Sequence, residues 1–167
     1  MKIAAETLQQ TVFLLMQLRD KWLYVAKIEE LEAFYAEQMK EIRMAVNVVN
    51  YGADRIDSNR RPDDKNIAMI MRLDKLDKKK KEELEPLWQE IDRINKLTDY
   101  ILAMNDDCGK ALSMYYPLPA GRNQPKRAPS FKRDIAEELD IDASDVAPLL
   151  RLGEKRCAIF LLKEKLL

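Results

Sequence analysis

The sequence predicts an all-α protein, in which a long antiparallel helical hairpin is followed by a small C-terminal helix-turn-helix. Three observations point to this fold class. Gly and Pro are scarce, with 4 and 7 among 167 residues, whereas all-β folds need Gly-rich turns at short intervals. Apolar residues make up 47% and charged residues 35% of the chain, as in amphipathic helices. Apolar side chains also recur at helical spacing from the first residues onward.

The first predicted element is one uninterrupted helix over residues 2–50, which contain neither Gly nor Pro. Its apolar positions alternate steps of three and four, the spacing of a coiled-coil seam: Leu8, Val12, Leu15, Leu18, Trp22, Val25, Ile28, Leu31, Tyr35, Met39, Ile42, Ala45 and Val49. A helix this long cannot bury its stripe alone, so a second helix or a second copy must cover it. Residues 51–64 lose the period and gather Gly, Asn, Ser, Asp and Pro, which predicts a loop.

The second predicted helix is capped by Asp63 or Asp64 and runs back along the first. Residues 77–83 contain no apolar side chain, which predicts a solvated segment. Pro86 lacks the N–H that a helix interior requires, which predicts a kink or a restart. A heptad repeat then continues from residue 84 to residue 101. We therefore expect residues 1–103 to form the helical hairpin.

Residues 104–167 are predicted to form the second domain. Asn105 to Asp107 can cap a short helix that ends near Tyr116. Residues 117–130 are rich in Pro and basic side chains, which predicts an extended linker. A helix then begins at Ser130 and Phe131, and Ser144 is the predicted cap of the last helix.

The segment from Asp134 to Val146 has the pattern of a helix-turn-helix. Two short helices that cross steeply need a small residue where they touch, and Ala136 supplies it. They also need apolar anchors from both helices and the turn; the predicted motif core is Ile135, Ala136, Leu139, Ile141, Val146 and Leu149. In such a motif the second helix is offered to the DNA major groove. Two amphipathic helices that pack only for stability would give a similar pattern.

The sequence offers little that could carry out covalent chemistry. It contains no His, the commonest general base and metal ligand. Its four Gly are isolated, so no phosphate-binding loop or nucleophile elbow is present. Cys108 and Cys157 lie far apart, which predicts neither a zinc site nor a disulfide framework. We therefore expect a non-enzymatic, cytoplasmic protein without metal or cofactor, and without a signal peptide or membrane anchor.

A resemblance to a known family carries the functional hypothesis further. The stretch RDIAEELDIDASDV, residues 133–146, resembles the helix-turn-helix of region 4 in sigma-70-type factors and in small phage transcription regulators of the ArpU and RinA kind. Upstream, six residues echo the segment that precedes the motif there: Ile101, Asp106, Asp107, Leu112, Tyr115 and Tyr116. The resemblance implies a DNA-binding transcription regulator of phage or mobile-element origin, with duplex DNA and RNA polymerase or another protein as partners.

The chain departs from that pattern at the turn and at the DNA-facing positions. Asp140 stands where the relatives usually have Gly, and the outer face of the second helix carries Ala143, Asp145 and Pro148 where they are usually basic or polar. The residues proposed to contact DNA are Ser144 and the cations around the motif and in the linker: Arg122, Lys126, Arg127, Lys132, Arg133, Arg151, Lys155 and Arg156. The linker cations would also fit a solubilising hinge.

A second hypothesis is a protein–protein interaction module, such as an inhibitor, an adaptor or a phage packaging or assembly component, with a degenerate helix-turn-helix. The formal net charge is zero, Asp140, Asp142 and Asp145 lie at the expected groove face, and residues 158–162 form an apolar tail. In either case the oligomeric state depends on the first helix: a second helix that covers it fully predicts a monomer, whereas a polar stretch at residues 77–83 that leaves its middle uncovered predicts a homodimer. We expect the homodimer.

Overall fold

The structure, a computed structural model, describes residues 2–52, 62–119 and 129–167. The described residues form helices joined by turns and short extended segments, which confirms the all-α fold class. The helices are α1 (Ala5–Gln17), α2 (Lys21–Gly52), α3 (Pro62–Ala103), α4 (Asp107–Tyr115), α5 (Lys132–Leu139) and α6 (Ala143–Lys163), and a 3₁₀ turn (Leu18–Asp20) joins α1 to α2.

The chain divides into two compact units. Unit 1 comprises residues 1–25 and 89–167, and unit 2 comprises residues 26–88. The divisions therefore fall inside α2 and α3, and α1 belongs with the C-terminal helices. The sequence predicts a domain boundary after residue 103, between two parts that would fold independently. The division into units does not test independent folding, so this boundary stays a prediction.

Unit 1 contains a continuous apolar core. Helix α6 packs against α1, α4 and α5, and α4 also contacts α5. The core residues from these helices, the 3₁₀ turn and the end of α3 are Leu14, Leu15, Leu18, Ile94, Leu97, Ile101, Ala111, Leu112, Tyr116, Ile135, Ala136, Val146, Leu150, Cys157 and Leu161. Burial of this many apolar side chains from six segments holds α6 in a defined position.

The first fifty residues do not form the single α-helix that the sequence predicts. The α-helical hydrogen bonding changes to a 3₁₀ turn at Leu18–Asp20 before α2 begins. The 3₁₀ turn closes i to i+3 and shifts the register of the following side chains. Leu18 is fully buried at this point. The three-and-four spacing continues through the turn, which is why the spacing alone did not reveal it.

The start of α3 also differs from the prediction. The helix begins at Pro62, so Asp63 and Asp64 lie inside its first turn and do not precede it as caps. Pro is favoured at the first helical position because its missing N–H has no partner there in any case.

Of the kink or restart predicted at Pro86, the restart is wrong, because α3 runs without a break from Pro62 to Ala103. Pro86 removes one backbone hydrogen bond, which would have joined its N–H to the carbonyl of Glu82. Both residues are exposed, so water can satisfy that carbonyl. The stretch at residues 77–83 is largely exposed, as expected, and Lys81 forms an ion pair with Asp77 at 3.0 Å.

The short helix α4 begins as the sequence predicts. Asp106 is its N-cap, and its carboxylate accepts a hydrogen bond of 3.1 Å from the Gly109 N–H. Gly109 is buried, and a Cβ at this position would lie 2.4 Å from the Met104 carbonyl oxygen. Only Gly therefore lets the chain turn this closely between α3 and α4. Among the described residues, no helix is both long and apolar enough to cross a membrane.

Candidate nucleic-acid interface

The connection between α5 and α6 is three residues long and begins in a left-handed conformation. Asp140 has φ 54° and ψ 45°, which confirms that it adopts the conformation usually left to Gly at this point. The N–H of Ile141 donates to the Ala136 carbonyl at 3.1 Å, and the N–H of Asp140 donates to the Glu137 carbonyl at 3.4 Å. These two bonds form a Schellman motif, which ends α5 and turns the chain sharply toward α6.

The N-terminus of α6 differs from the prediction by two residues. The residue before the helix is Asp142, and its backbone carbonyl accepts a 2.9 Å hydrogen bond from the Asp145 N–H. Ser144 is therefore not the cap; it lies in the first turn with its side chain exposed. Asp142 makes no side-chain cap bond. The hydroxyl of Ser144 is consequently directed to solvent and not to the helix backbone.

The predicted motif core lies on the inner side of α5, the turn and α6. Ile135 and Val146 are fully buried and Ala136 is nearly so. Leu139, Ile141 and Leu149 are partly buried against the same core. The apolar side of each helix thus faces the rest of unit 1, which leaves the opposite side of each helix in solvent.

The N-terminal turn of α6 and, as far as Lys155, its side away from the core form one exposed surface. Its exposed residues are Ala143, Ser144, Asp145, Pro148, Arg151, Leu152 and Lys155. Ser144, Pro148, Arg151 and Lys155 are spaced by four, three and four positions and therefore lie along one stripe of the helix. Pro148 has no N–H, so the carbonyl of Ser144 lacks its helical donor on this stripe. We call these seven residues the outer face of α6.

The outer face carries charges of both signs. Arg151 and Lys155 lie toward its C-terminal end, while Asp145 lies in the first turn of α6, next to Asp142 and Asp140 of the exposed turn. A phosphate backbone would be attracted to the first pair and repelled by the three carboxylates. Both sets of residues are exposed.

Arg156 takes part in an ion pair within unit 1. Its guanidinium donates a short hydrogen bond to the Asp106 carboxylate, which lies 50 positions earlier in the chain. The hydrogen bond from Arg156, together with the Gly109 N–H, lowers the pKa of Asp106 below its usual range. Arg156 therefore ties α6 to the N-terminus of α4, and its charge is largely neutralised before any phosphate approaches. Sequence patterns gave no sign of this long-range pair.

The remaining predicted cations are distributed unevenly. Lys132 and Arg133 begin α5 and are exposed, and Arg133 forms an ion pair of 3.4 Å with Glu137 one turn later. Arg122, Lys126 and Arg127 lie outside the described residues. The described cations that are free of carboxylate partners near the motif are therefore Lys132, Arg151 and Lys155.

The second half of α6 is anchored by contacts that sequence reasoning missed. The Tyr116 hydroxyl donates a 2.7 Å hydrogen bond to Glu154, and burial together with this carboxylate raises the pKa of Tyr116. The rings of Tyr100 and Phe160 are stacked with centroids 4.2 Å apart. Gly153 is buried against Leu112, close enough that a Cβ would lie 2.8 Å from two Leu112 atoms. The apolar tail thus packs largely inside unit 1, and Leu162 is its exposed member.

Neither thiol is placed for chemistry. Burial raises the pKa of Cys157 to about 12 and also raises that of Cys108. A thiol with a raised pKa holds little of the nucleophilic thiolate form. Within residues 2–52, 62–119 and 129–167, no three acidic or Cys side chains converge as a metal site would require.

Comparison of the chain with protein-family models, with curated proteins and with solved structures gave no match. The functional argument therefore depends on the residues of the chain and their arrangement.

Proposed function

We propose that the protein is a non-enzymatic, DNA-binding regulator of transcription of phage or mobile-element type, in which α5, the turn at Asp140 and α6 act as a helix-turn-helix. One observation carries this proposal. Between Ser144 and Lys155, α6 buries Val146 and Leu150 on one side and exposes Ser144, Arg151 and Lys155 on the other. A recognition helix needs this combination, because the scaffold must hold it firmly while its outer side chains remain free to enter the major groove.

The distribution of charge suggests that one part of this surface contacts phosphates and another part contacts bases. Arg151 and Lys155 would contact phosphates, with Lys132 at the start of α5 as a third contact. The first turn of α6, with Ser144 and Asp145, would then meet base edges, where a hydroxyl can donate or accept and a carboxylate can accept from cytosine N4. Arg156 would serve mainly to hold α6 in place through Asp106.

We further propose that unit 2 is an antiparallel helical hairpin that pairs with a second copy. Within unit 2, Tyr35 on α2 is buried, and burial together with the nearby Glu83 carboxylate on α3 raises its pKa, which supports a side-by-side arrangement there. Ile67, Ile70 and Met71 of α3 are each more than half exposed at helical spacing. A second copy would cover them, and a two-fold dimer would present two recognition helices to two half-sites.

Titration of labelled, mixed-sequence duplex DNA at several salt concentrations tests the proposal in its simplest form. Binding should weaken steeply as salt rises, because each phosphate contact releases counterions and contributes a slope of about 0.9. The double variant Arg151→Ala/Lys155→Ala should bind about tenfold more weakly or worse, and its salt slope should be flatter by about two. Fluorescence anisotropy gives both quantities.

The matched control is Lys78→Ala/Lys79→Ala, which removes the same charge from an exposed stretch of α3. Its affinity and salt slope should stay close to those of the wild type. Equal losses of duplex affinity in the two double variants would mean that DNA is attracted to surface cations in general and not to the outer face of α6. A folded wild-type protein that binds no duplex even at low salt would end the proposal.

A second candidate function is supported by a specific observation. Leu152 is 52% exposed beside Arg151, and the carboxylates of Asp140, Asp142 and Asp145 are exposed at the preceding turn. An acidic and partly apolar surface suits a basic protein partner better than it suits DNA. Asp145→Asn separates the two functions on mixed-sequence duplex, where the carboxylate repels phosphates and no base contact is matched to it. The variant should bind this duplex more tightly if the outer face meets DNA, and its duplex binding should be unchanged if that face meets a protein.

A further inference from the structure

A cleft of about 470 Å³ lies in unit 1 where three segments meet. Met16 and Arg19 contribute from the end of α1 and the 3₁₀ turn, Tyr115 and Tyr116 from the end of α4, and Phe131 and Lys132 from the start of α5. Its size falls within the range of small-molecule sites, which are commonly lined by apolar and aromatic side chains with a few polar groups. The sequence-based functional hypotheses leave this cleft unused.

The walls of the cleft are held in place by contacts outside it. The rings of Tyr115 and Tyr116 meet edge to face, with centroids 4.9 Å apart and an interplanar angle of 84°. The Tyr116 hydroxyl is fixed by Glu154. On the other side, the Ser130 N–H donates a 3.0 Å hydrogen bond to the Met114 carbonyl, which pins the start of α5 to α4. A preformed site binds with a smaller entropic cost than one that must be assembled.

The polar groups of the cleft are biased toward positive charge. Arg19 and Lys132 both line it, and none of its described lining residues carries a carboxylate. In the described part of the chain, neither cation forms an ion pair with an acidic side chain. The molecule as a whole has zero net charge, so two unneutralised cations at an aromatic cleft are a local feature. They are complementary to an anionic group attached to an apolar body.

We propose that this cleft binds a small amphipathic carboxylate, with an aromatic or branched apolar body between the tyrosines, Met16 and Phe131 and with its carboxylate between Arg19 and Lys132. A nucleotide fits less well, because its several phosphates would need more cations than these two and its sugar would meet apolar walls. An acidic peptide would extend beyond a cleft of this volume and is the main competing occupant.

Occupation of the cleft affects the start of α5. Phe131 is the residue before the helix and Lys132 is its first residue, so a ligand that contacts both adds contacts at the beginning of the proposed helix-turn-helix. This step rests on the proposed function: the carboxylate then acts as an effector of DNA binding. Because coupling between two sites is reciprocal, DNA changes the affinity for the carboxylate by the same factor.

Binding is tested first without DNA, so that the result does not depend on the proposed function. The probes are 4-phenylbutyrate and the neutral 4-phenylbutan-1-ol, which share a skeleton and differ in charge. Amide shifts in two-dimensional NMR of the full chain should change at Met16–Arg19, Tyr115–Tyr116 and Ser130–Lys132 for the carboxylate, and its affinity should exceed that of the alcohol.

Charge-removing variants then test whether Arg19 and Lys132 bind the carboxylate. Arg19→Gln and Lys132→Gln should each weaken 4-phenylbutyrate binding roughly two- to fivefold, since both cations are exposed, and should leave the alcohol unaffected. Lys79→Gln, which removes the same charge from unit 2, should change neither. The proposal is overturned if the carboxylate and the alcohol bind equally, if the shifts lie outside the cleft, or if only acidic peptides bind there.

The link to DNA is tested last, with wild type and Arg19→Gln, because Arg19 lies outside the proposed DNA surface. Saturating 4-phenylbutyrate should shift the duplex affinity of the wild type by twofold or more, and this shift should shrink in Arg19→Gln at the same ligand concentration. If 4-phenylbutyrate binds but the duplex affinity does not change, the ligand is not an effector of DNA binding. Absence of duplex binding, with ligand binding intact, would count against the proposed function and not against the cleft.

Discussion

The two units of the molecule bury their apolar side chains very differently. In unit 1 the core draws on α1, the 3₁₀ turn, the end of α3, α4, α5 and α6. In unit 2, where side chains are described over residues 26–45 and 66–88, the buried apolar residues are Ile28, Tyr35 and Leu84. Six large apolar side chains of that unit are at least half exposed: Phe34, Met44, Ile67, Ile70, Met71 and Trp88.

The difference indicates two sources of stability. Unit 1 has enough internal burial to hold its helices, including α6, without a partner. The helical segments of unit 2 satisfy their backbone locally, but an isolated long helix gains little from propensity and depends on packing of its apolar face. Unit 1 is therefore suited to presenting a rigid surface, and unit 2 is suited to association with a second copy. Three predictions break or sharpen this contrast.

The largest expected effect comes from a cavity in unit 1. Leu112 is fully buried against Gly153, so Leu112→Ala should lower the free energy of unfolding by about 2–5 kcal/mol. Ile70→Ala, at a position that is 52% exposed, should change it by less than about 0.5 kcal/mol when the protein is dilute enough to be monomeric. Urea denaturation followed by circular dichroism measures both.

A matching loss in the two variants would mean that Ile70 is buried in the isolated chain, and the contrast between the units would disappear. Ile70→Ala measured again at high protein concentration serves as the internal control. The loss of stability should be larger there, because Ile70 would then be buried between two copies and the truncation would remove that burial.

The second prediction concerns the dimer directly. Ile70→Lys places a charge where we propose that a second copy packs, so the dissociation constant of the dimer should rise at least about tenfold, equivalent to about 1.4 kcal/mol. Glu82→Gln changes the net charge by the same amount at an exposed position of α3 and should leave the dimer unchanged. Sedimentation velocity distinguishes the species. A wild type that is monomeric at all concentrations would refute the pairing of unit 2.

The smallest effect is expected at the Asp106–Arg156 pair, which stiffens unit 1. Pairing lowers the pKa of Asp106 in the folded state, so the folded protein binds this proton less readily than the unfolded chain. The resulting stability is fully present above the unfolded pKa, near 4, and is lost as pH falls through the lower folded value. Asp106→Asn keeps a competent N-cap but abolishes this contribution.

We expect Asp106→Asn to be less stable than the wild type by less than about 1 kcal/mol at neutral pH, and the difference should close as the solution is acidified below pH 4. Asp107→Asn removes the same charge one residue along and is the control; it should leave the free energy of unfolding closer to that of the wild type. Urea denaturation over a pH series measures this. A difference for Asp106→Asn that persists unchanged in acid would assign its effect to the cap and not to the ion pair.

Much of the fold follows from local patterns in the sequence. Apolar spacing found the helices, and the Asp106 cap and the left-handed Asp140 were also predictable, because each depends on residues within a few positions. The 3₁₀ turn at Leu18–Asp20 and the continuity of α3 through Pro86 were not. Spacing by three fits both helix types, and whether water can satisfy the freed carbonyl depends on exposure that the sequence does not reveal.

As with the fold, the local features of the candidate site were predictable from the sequence and its long-range contacts were not. Helical periodicity places Ser144, Arg151 and Lys155 on one side of α6, and the structure has them exposed together. The pairing of Arg156 with Asp106 joins residues 50 positions apart, and the aromatic cleft brings together three separate segments. Such long-range contacts depend on how the helices pack, and an apolar stripe does not specify which partner it will meet.

Site-directed cross-linking tests the central claim most directly, namely that the outer face of α6 meets duplex DNA. Ala143→Cys and Ala33→Cys each introduce one exposed thiol, and the buried, raised-pKa Cys108 and Cys157 should resist labelling with a short photo-cross-linker. On illumination with bound duplex at low salt, the Ala143→Cys protein should cross-link to DNA and the Ala33→Cys protein should not. Equal yields from the two positions, or a yield only from Ala33→Cys, would contradict the account.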